Sequence, residues 1–173
     1  MRNEIRGEDT CRSARTPLPA PRWLRILLWL LLLLNMAVIF AFSSRTAEQS
    51  TVTSDIVLAK PMEVYDTIHP ETAGDERVYW WFQFIVRKAA HVAEYASLCV
   101  WATGLLHAYR VRFTYPLGGG FTAFYAATDE VHQLLVPGRD GKITDWLFDC
   151  LGALVGLLIA YLIIRAVRKR TEA

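Results

Sequence analysis

The segment ILLWLLLLLNMAVIFAF, residues 26–42, contains a single polar side chain, Asn35. As a helix rising about 1.5 Å per residue, it approaches the ~30 Å thickness of the hydrocarbon core of a bilayer. Three further apolar stretches follow, at about residues 82–109, 113–136 and 143–164. Because hydrophobic residues make up 53% of the chain and come in blocks of this length, the sequence predicts an all-α, polytopic membrane protein, a bundle of four transmembrane helices.

The charges that flank these stretches predict the orientation of the bundle. Basic residues precede the first stretch, separate the second from the third and follow the fourth, whereas the segment 43–81 is acidic. Since Lys and Arg are retained on the cytoplasmic side, both termini are predicted to be cytoplasmic and residues 43–81 to form an outer loop. The net charge of +2 reflects basic clusters beside the plasma membrane, and nothing in it indicates a nucleic-acid partner.

Composition divides the chain into three parts. Residues 1–21 are polar and rich in proline, which predicts a disordered cytoplasmic arm. Residues 22–167 form the predicted membrane domain, and residues 168–173 a basic cytoplasmic tail. Within the outer loop, residues 51–65 are predicted to form a short helix that breaks at Lys60 and Pro61, because proline disfavours helical backbone before it.

Two of the apolar stretches contain ionisable side chains: RKAAHVAEY at residues 87–95 and DEVHQLLVPGRD at residues 129–140. An ionisable group at the bilayer centre costs about 2.5–3.5 kcal/mol even on lenient insertion scales. These residues are therefore expected to face the interior of the bundle and to form a site.

Helical spacing predicts that these groups meet at the outer end of the bundle. The second helix places Arg87, His91 and Glu94 on one face, with Lys88 and Tyr95 beside it. The third helix runs outward and brings Asp129, His132 and Gln133 to its outer turns, with Glu130 rotated away but within reach of Gln133. On the fourth helix one stripe carries two carboxylates and a small-xxx-small pair, namely Asp145, Asp149, Gly152 and Gly156. Ser43 and Ser44 end the first helix at the same level.

In this order, the motifs resemble the VanZ-like family. The resemblance covers about residues 26–164 and implies a four-helix membrane protein linked to teicoplanin resistance and the cell envelope, but it supplies no mechanism. The motif positions carried onto this chain are Ser43, Ser44, Arg87, Lys88, His91, Glu94, Tyr95, Asp129, Glu130, His132, Gln133, Pro137, Gly138, Arg139 and Asp145. The chain departs from the pattern at Arg45, where a Gln is common, and at Asp149, where an Asn is expected.

The leading hypothesis is a site, open to the outer leaflet, that binds or processes an anionic lipid or a lipid-linked envelope precursor. Arg87, Lys88 and Arg139 would hold phosphate. His91 or His132 would act as general acid or base, with Glu94 and Asp129 orienting the imidazoles. The remaining predicted contact residues are Ser43, Ser44, Tyr95, Gln133, Asp145 and Asp149.

Three alternatives stay open at this stage. Two histidines and several carboxylates are also ligands for a divalent metal, although their spacing is a weak signal. A non-catalytic envelope protein that binds a precursor or partner fits the same residues. A small carrier or proton relay is disfavoured, because residues 98–106 and 151–164 are almost wholly apolar and leave no polar path through the inner half.

Overall fold

The structure is a computed structural model that describes residues 20–172. The described residues form five α-helices and one short 3₁₀-helix, with no strand among them. The elements are α1 (Arg22–Ser43), α2 (Ala47–Ile68), the 3₁₀-helix (Pro70–Thr72), α3 (Glu76–Ala108), α4 (Thr114–Gln133) and α5 (Ile143–Glu172). The all-α prediction is confirmed. The predicted arm lies outside the described residues, apart from its last two.

Two of these helices are long and apolar enough to cross a membrane. They are α1, near the N-terminus, and residues Ile143–Arg170 of α5. Leucines on α1 such as Leu30 and Leu34 are 60% and 61% exposed, so most of this apolar surface is not covered by the protein itself. α3 and α4, which contain the ionisable motifs, are less apolar.

Each helix begins or ends at some distance from its predicted apolar boundary. α1 starts at Arg22 and α3 at Glu76, and α5 continues through the predicted basic tail to Glu172. At the start of α3 the Asp75 carboxylate accepts a hydrogen bond from the Arg77 N–H at 2.8 Å. At α3, therefore, a polar cap rather than the first apolar residue marks where the helix begins.

α3 is the central helix, and α5 packs closely along it through two glycines. A Cβ at Gly152 would lie 2.6 Å from the Val92 carbonyl oxygen of α3. At Gly156 an added Cβ would overlap the Ala96 carbonyl oxygen. The predicted small-xxx-small pair therefore does allow a neighbouring helix to approach at backbone distance.

Three polar contacts fix the depth at which the other helices pack. On α1, Asn35 donates to Ser97 of α3 at 2.7 Å. The Met36 carbonyl of α1 accepts from the Tyr125 hydroxyl of α4 at 2.9 Å. The Trp146 indole of α5 donates to the Ala123 carbonyl of α4 at 3.1 Å. Between these contacts lies an apolar core that contains Leu32, Ile39, Leu98, Ala102, Leu105 and Ala126.

The predicted break in the outer loop is wrong, because α2 runs through Pro61 without interruption. Proline removes one donor from a helix but leaves the turns on either side able to form. The helix starts at a capping box between Thr46 and Gln49, and its Leu58 side chain is only 2% exposed. Its Asp55 carboxylate also accepts a hydrogen bond from the Tyr79 hydroxyl of α3 at 2.6 Å. Capping and packing on α3 together outweigh the local effect of Pro61.

Candidate functional site

A cavity of about 70 Å³ lies at one end of the bundle, where α1 ends and α4 turns towards α5. Seven of the predicted site residues line it: Ser43, Arg87, His91, Glu94, Asp129, Gln133 and Arg139. They come from three helices and the turn after α4, as the helical spacing predicted. The structure thus brings the main part of the predicted constellation together.

His91 is held by a carboxylate of α5. Its Nδ1 lies 3.0 Å from Oδ1 of Asp149, a residue that is fully buried. Since a carboxylate only accepts, the imidazole donates in this contact, and Nε2 is left for a second partner. The sequence had assigned the orienting role to Glu94 and Asp129. The structure gives this role at His91 to Asp149 instead, because the α3 face that carries His91 packs against the acidic stripe of α5.

Lys88 also pairs across the contact between α3 and α5. Its ammonium lies 2.5 Å from Asp145, and both side chains are more than four-fifths buried. The ammonium also lies over the rings of Phe84 and Phe148. Lys88 is therefore occupied by a helix–helix contact rather than placed on the cavity wall where a phosphate role was expected.

Arg87 and Arg139 differ from Lys88 in that neither forms an ion pair within 4 Å among the described residues. Both side chains line the cavity, and their guanidinium groups lie close enough to repel each other. Among the described residues no hydrogen bond or ion pair reaches either guanidinium, and Nε of Arg139 is buried. Arg139 is positioned by a turn in which Gly138 adopts φ +74° and the Arg139 N–H donates to the Val136 carbonyl at 3.1 Å.

His132 lies outside the cavity. Its Nε2 is 3.1 Å from the Ser44 hydroxyl, and its ring packs on Phe40 with the centroids 4.7 Å apart. These contacts join the C-terminal ends of α1 and α4. The two histidines are thus separated, and His91 is the one that faces the cavity.

The acidic residues of α4 have local partners. Asp129 accepts a hydrogen bond from the Gln133 amide at 3.0 Å. Glu130 accepts from the backbone N–H of Lys142 at 2.8 Å, so its predicted contact with Gln133 is wrong. Glu130 receives its described hydrogen bond from the turn after α4, whereas the Gln133 amide bonds Asp129 on its own helix.

Residues 28–165 match the VanZ/LLP1 family, most of the described chain. This chain belongs to the VanZ/LLP1 family. Neither the curated proteins nor the solved structures contain a significant match to it. Membership of the family connects the chain with membrane proteins linked to glycopeptide resistance.

In addition to Nε of Arg139, several buried polar atoms near the cavity of this VanZ/LLP1 chain lack a hydrogen-bond partner among the described residues. The Ser43 hydroxyl, the Tyr95 hydroxyl and Oδ2 of Asp149 are buried without a hydrogen-bond partner among the described residues. Buried polar groups of this kind normally bind a partner, a water or a ligand. Ser43 lines the cavity itself, whereas Tyr95 and Asp149 do not line it and are fully buried.

Sequence reasoning missed four lining residues of this VanZ/LLP1 site. Ile39 and Phe42 of α1, Ala90 of α3 and Ser50 of α2 complete the wall. The apolar residues belong to no motif that would single them out. Ser50 is part of the cavity wall only because α2 folds back over this end of the bundle. Over residues 20–172, no three His, Cys, Asp or Glu side chains come together in a way that would hold a metal ion.

Proposed function

We propose that this protein is a multi-pass plasma-membrane protein that binds the phosphate-bearing headgroup of an anionic lipid or a lipid-linked envelope precursor. The site is the cavity between α1, α3 and α4, facing the outside of the cell, and its binding underlies a role in teicoplanin resistance. The observation that carries the proposal is the pair of guanidinium groups, Arg87 and Arg139, which line one cavity and form no hydrogen bond or close ion pair among the described residues.

Two cationic groups on the cavity are available to an anionic ligand. Lys88 pairs with Asp145, His91 donates a hydrogen bond to Asp149, and Glu130 accepts one from a backbone N–H. Arg87 and Arg139 remain on the cavity, together with the carboxyl groups of Glu94 and Asp129. Because carboxyl groups outnumber cations in this part of the protein, some of them have to be protonated when a phosphate adds its negative charge. A protonated carboxyl group then donates a hydrogen bond to a phosphate oxygen.

The size of the cavity supports a headgroup rather than a whole soluble ligand. Its volume of about 70 Å³ is far below the roughly 300–1,000 Å³ typical of pockets that enclose drug-sized molecules. A lipid needs only its phosphate enclosed, because its acyl chains remain in the bilayer. Guanidinium groups suit this role, since their planar fork matches phosphate oxygens in a bidentate manner.

The His91–Asp149 pair gives the site the means to move a proton. A carboxylate that accepts the Nδ1–H fixes the imidazole tautomer and leaves Nε2 with a lone pair. His91 lines the cavity, so this nitrogen is available to a hydroxyl or phosphate oxygen bound beside the arginines. If the protein processes its ligand, His91 is the general base or acid, and Asp149 is its positioning residue.

The proposed topology has four crossings, by α1, α3, α4 and α5, with both termini in the cytoplasm. α4 has 20 residues, about 30 Å of helix, and α3 with 33 residues is longer than a crossing requires. The helix ends away from the cavity carry three basic clusters, which favours an outward-facing cavity: Arg22 with Arg25, Arg110 with Arg112, and Arg165, Arg168, Lys169 and Arg170.

Labelling at Gly138 tests this topology. Gly138 is exposed in the turn after α4, so a Gly138→Cys variant in a background without native cysteines should react with a membrane-impermeant maleimide on intact cells. Arg110→Cys, in the turn between α3 and α4, is the matched control and should react only after lysis. The reverse pattern would place the site in the cytoplasm.

Lipid retention tests the ligand. We expect mass spectrometry of the purified protein to find phosphate-bearing anionic lipid retained by the wild type and lost from Arg87→Ala. The loss of one charge-assisted contact, about 1.5–3 kcal/mol, lowers affinity by about tenfold or more. Arg77→Ala is the control, because Arg77 is 93% exposed and lies outside the cavity. Equal retention by all three proteins would remove the proposed function and favour a protein that binds a partner instead.

A further inference from the structure

We propose that α2 is an interfacial helix that lies along the outer surface of the membrane and inserts one apolar stripe among the lipids. The stripe consists of Val57, Pro61, Val64 and Ile68. The proposal rests on the membrane topology proposed above, but it concerns a surface distant from the cavity.

The stripe is defined by spacing and exposure. Positions 57, 61, 64 and 68 follow the i, i+4, i+7, i+11 pattern of one helix face. Val57, Val64 and Ile68 are 57%, 57% and 65% exposed. The side of α2 that packs on α3 is a different one, marked by the buried Ser54 and Leu58. The stripe is therefore an exposed apolar surface on a different side of α2 from the one that packs on α3, and Val52 and Ile56 add exposed apolar area beyond it.

A groove runs beside the stripe, between the C-terminal half of α2 and the start of α3. It has a volume of about 520 Å³ and is lined by Lys60, Pro61, Val64, Tyr65, Ile68, His69 and Phe82. Its floor is Phe82, whose ring meets Tyr65 edge-on at 5.4 Å. The wall is apolar along its length, with Lys60 and His69 as its basic members.

Continuity with the membrane indicates that lipid covers this surface. Three residues, 44–46, separate α2 from the apolar helix α1, so α2 begins where α1 leaves the membrane. Trp80 and Trp81 lie at the start of α3, 57% and 66% exposed, and aromatic residues of this kind concentrate at the membrane–water interface. Both neighbours of α2 thus place it at headgroup level.

The charges of α2 agree with that placement. Lys60 lies beside the stripe, where its stem can lie along apolar surface while the ammonium reaches anionic headgroups. Glu63 is next to Val64 in sequence but rotated by about 100° around the helix, so it points away from the stripe. A helix with an apolar stripe on one side and acidic groups on another is suited to lie in the interface plane.

The test compares neighbouring positions on α2 in lipid vesicles that contain phosphatidylglycerol. An environment-sensitive fluorophore is attached to Val64→Cys, Ile68→Cys or Glu63→Cys, each in the full chain with Cys11, Cys99 and Cys150 replaced by alanine. We expect the labels at 64 and 68 to be quenched by lipids carrying a nitroxide, to emit at shorter wavelength and to lose quenching by iodide. The label at 63 should show the opposite pattern.

Equal iodide quenching at all three positions overturns the proposal, because it would place the stripe in water. Self-quenching of the fluorophore that rises with protein concentration, with no quenching by the nitroxide lipids, also overturns the proposal. It would show that a second copy of the chain covers the stripe. Thermal unfolding of each labelled protein shows that the fold is retained. Nitroxide quenching does not depend on which side of the membrane α2 occupies. A failure of the proposal for α2 can therefore be distinguished from a failure of the proposed topology, which the maleimide labelling of Gly138→Cys tests.

Discussion

Replacing Arg139 by alanine is expected to abolish most headgroup binding and the resistance that depends on it, while leaving the fold intact. The guanidinium lines the cavity and has no hydrogen bond or ion pair among the described residues. Its removal therefore breaks no described hydrogen bond or ion pair within the protein. A charge-assisted contact to phosphate contributes about 1.5–3 kcal/mol, so affinity for an anionic headgroup should fall by about 10- to 150-fold.

Two further variants make this expectation specific. Arg139→Lys should restore only part of the affinity, because an ammonium keeps the charge but lacks the planar fork of the guanidinium. Lys142→Ala removes a cation from the same turn, but Lys142 is exposed and does not line the cavity, so binding should be unchanged. The measurements are retained anionic phospholipid per protein, the teicoplanin susceptibility of an expressing host and the thermal midpoint. Full binding by Arg139→Ala would eliminate the phosphate role of this residue.

The second large effect is expected on stability, at the His91–Asp149 pair. His91→Ala leaves the Asp149 carboxylate fully buried and without its only described partner, and breaking a buried pair in this way costs about 3–5 kcal/mol. Asp149→Asn should cost about 1 kcal/mol or less, because a neutral imidazole can still donate to the amide oxygen. Asparagine is also the residue that the family resemblance led us to expect at this position.

The double variant His91→Ala/Asp149→Asn separates the two contributions. It should be more stable than His91→Ala alone, since the unpaired buried charge is gone, and the coupling free energy should lie within about 0.5–3 kcal/mol. Denaturant titration of the free energy of unfolding in mixed micelles measures all four proteins. Additive effects would mean that the contact between the imidazole and the carboxylate carries no coupling, and Asp149 would then lose its role as positioning residue.

The sequence predicted well whatever depends on spacing within one helix. Arg87, His91 and Glu94 recur at helical spacing, so their common face could be read directly, and the structure places all three on the cavity. The glycine pair of α5 could be predicted in the same way. Two glycines at i and i+4 leave a groove on one helix face, and this does not depend on which neighbouring helix packs there. The all-α class follows from the length of the apolar blocks.

Contacts between helices could not be predicted in the same way. Whether His91 pairs with Glu94 or Asp149 depends on the depth and rotation of α5 against α3, and spacing along one helix contains neither quantity. The same holds for Lys88, which the sequence offered to phosphate and the structure pairs with Asp145. The four-span topology and the cytoplasmic placement of the termini stay predictions.

Pro61 limits how deep α2 can lie. Position 61 has no N–H, so the Val57 carbonyl, four residues earlier, has no helical donor at that position. An unsatisfied backbone carbonyl costs several kcal/mol in hydrocarbon, whereas water among the headgroups can solvate it. In the placement we propose for α2, its axis therefore stays in the hydrated layer and only its side chains touch the acyl chains. Pro61, which leaves the helix continuous, thus limits the depth to which α2 can insert. It favours a position at the membrane surface, where Ser50 of α2 can still line the cavity.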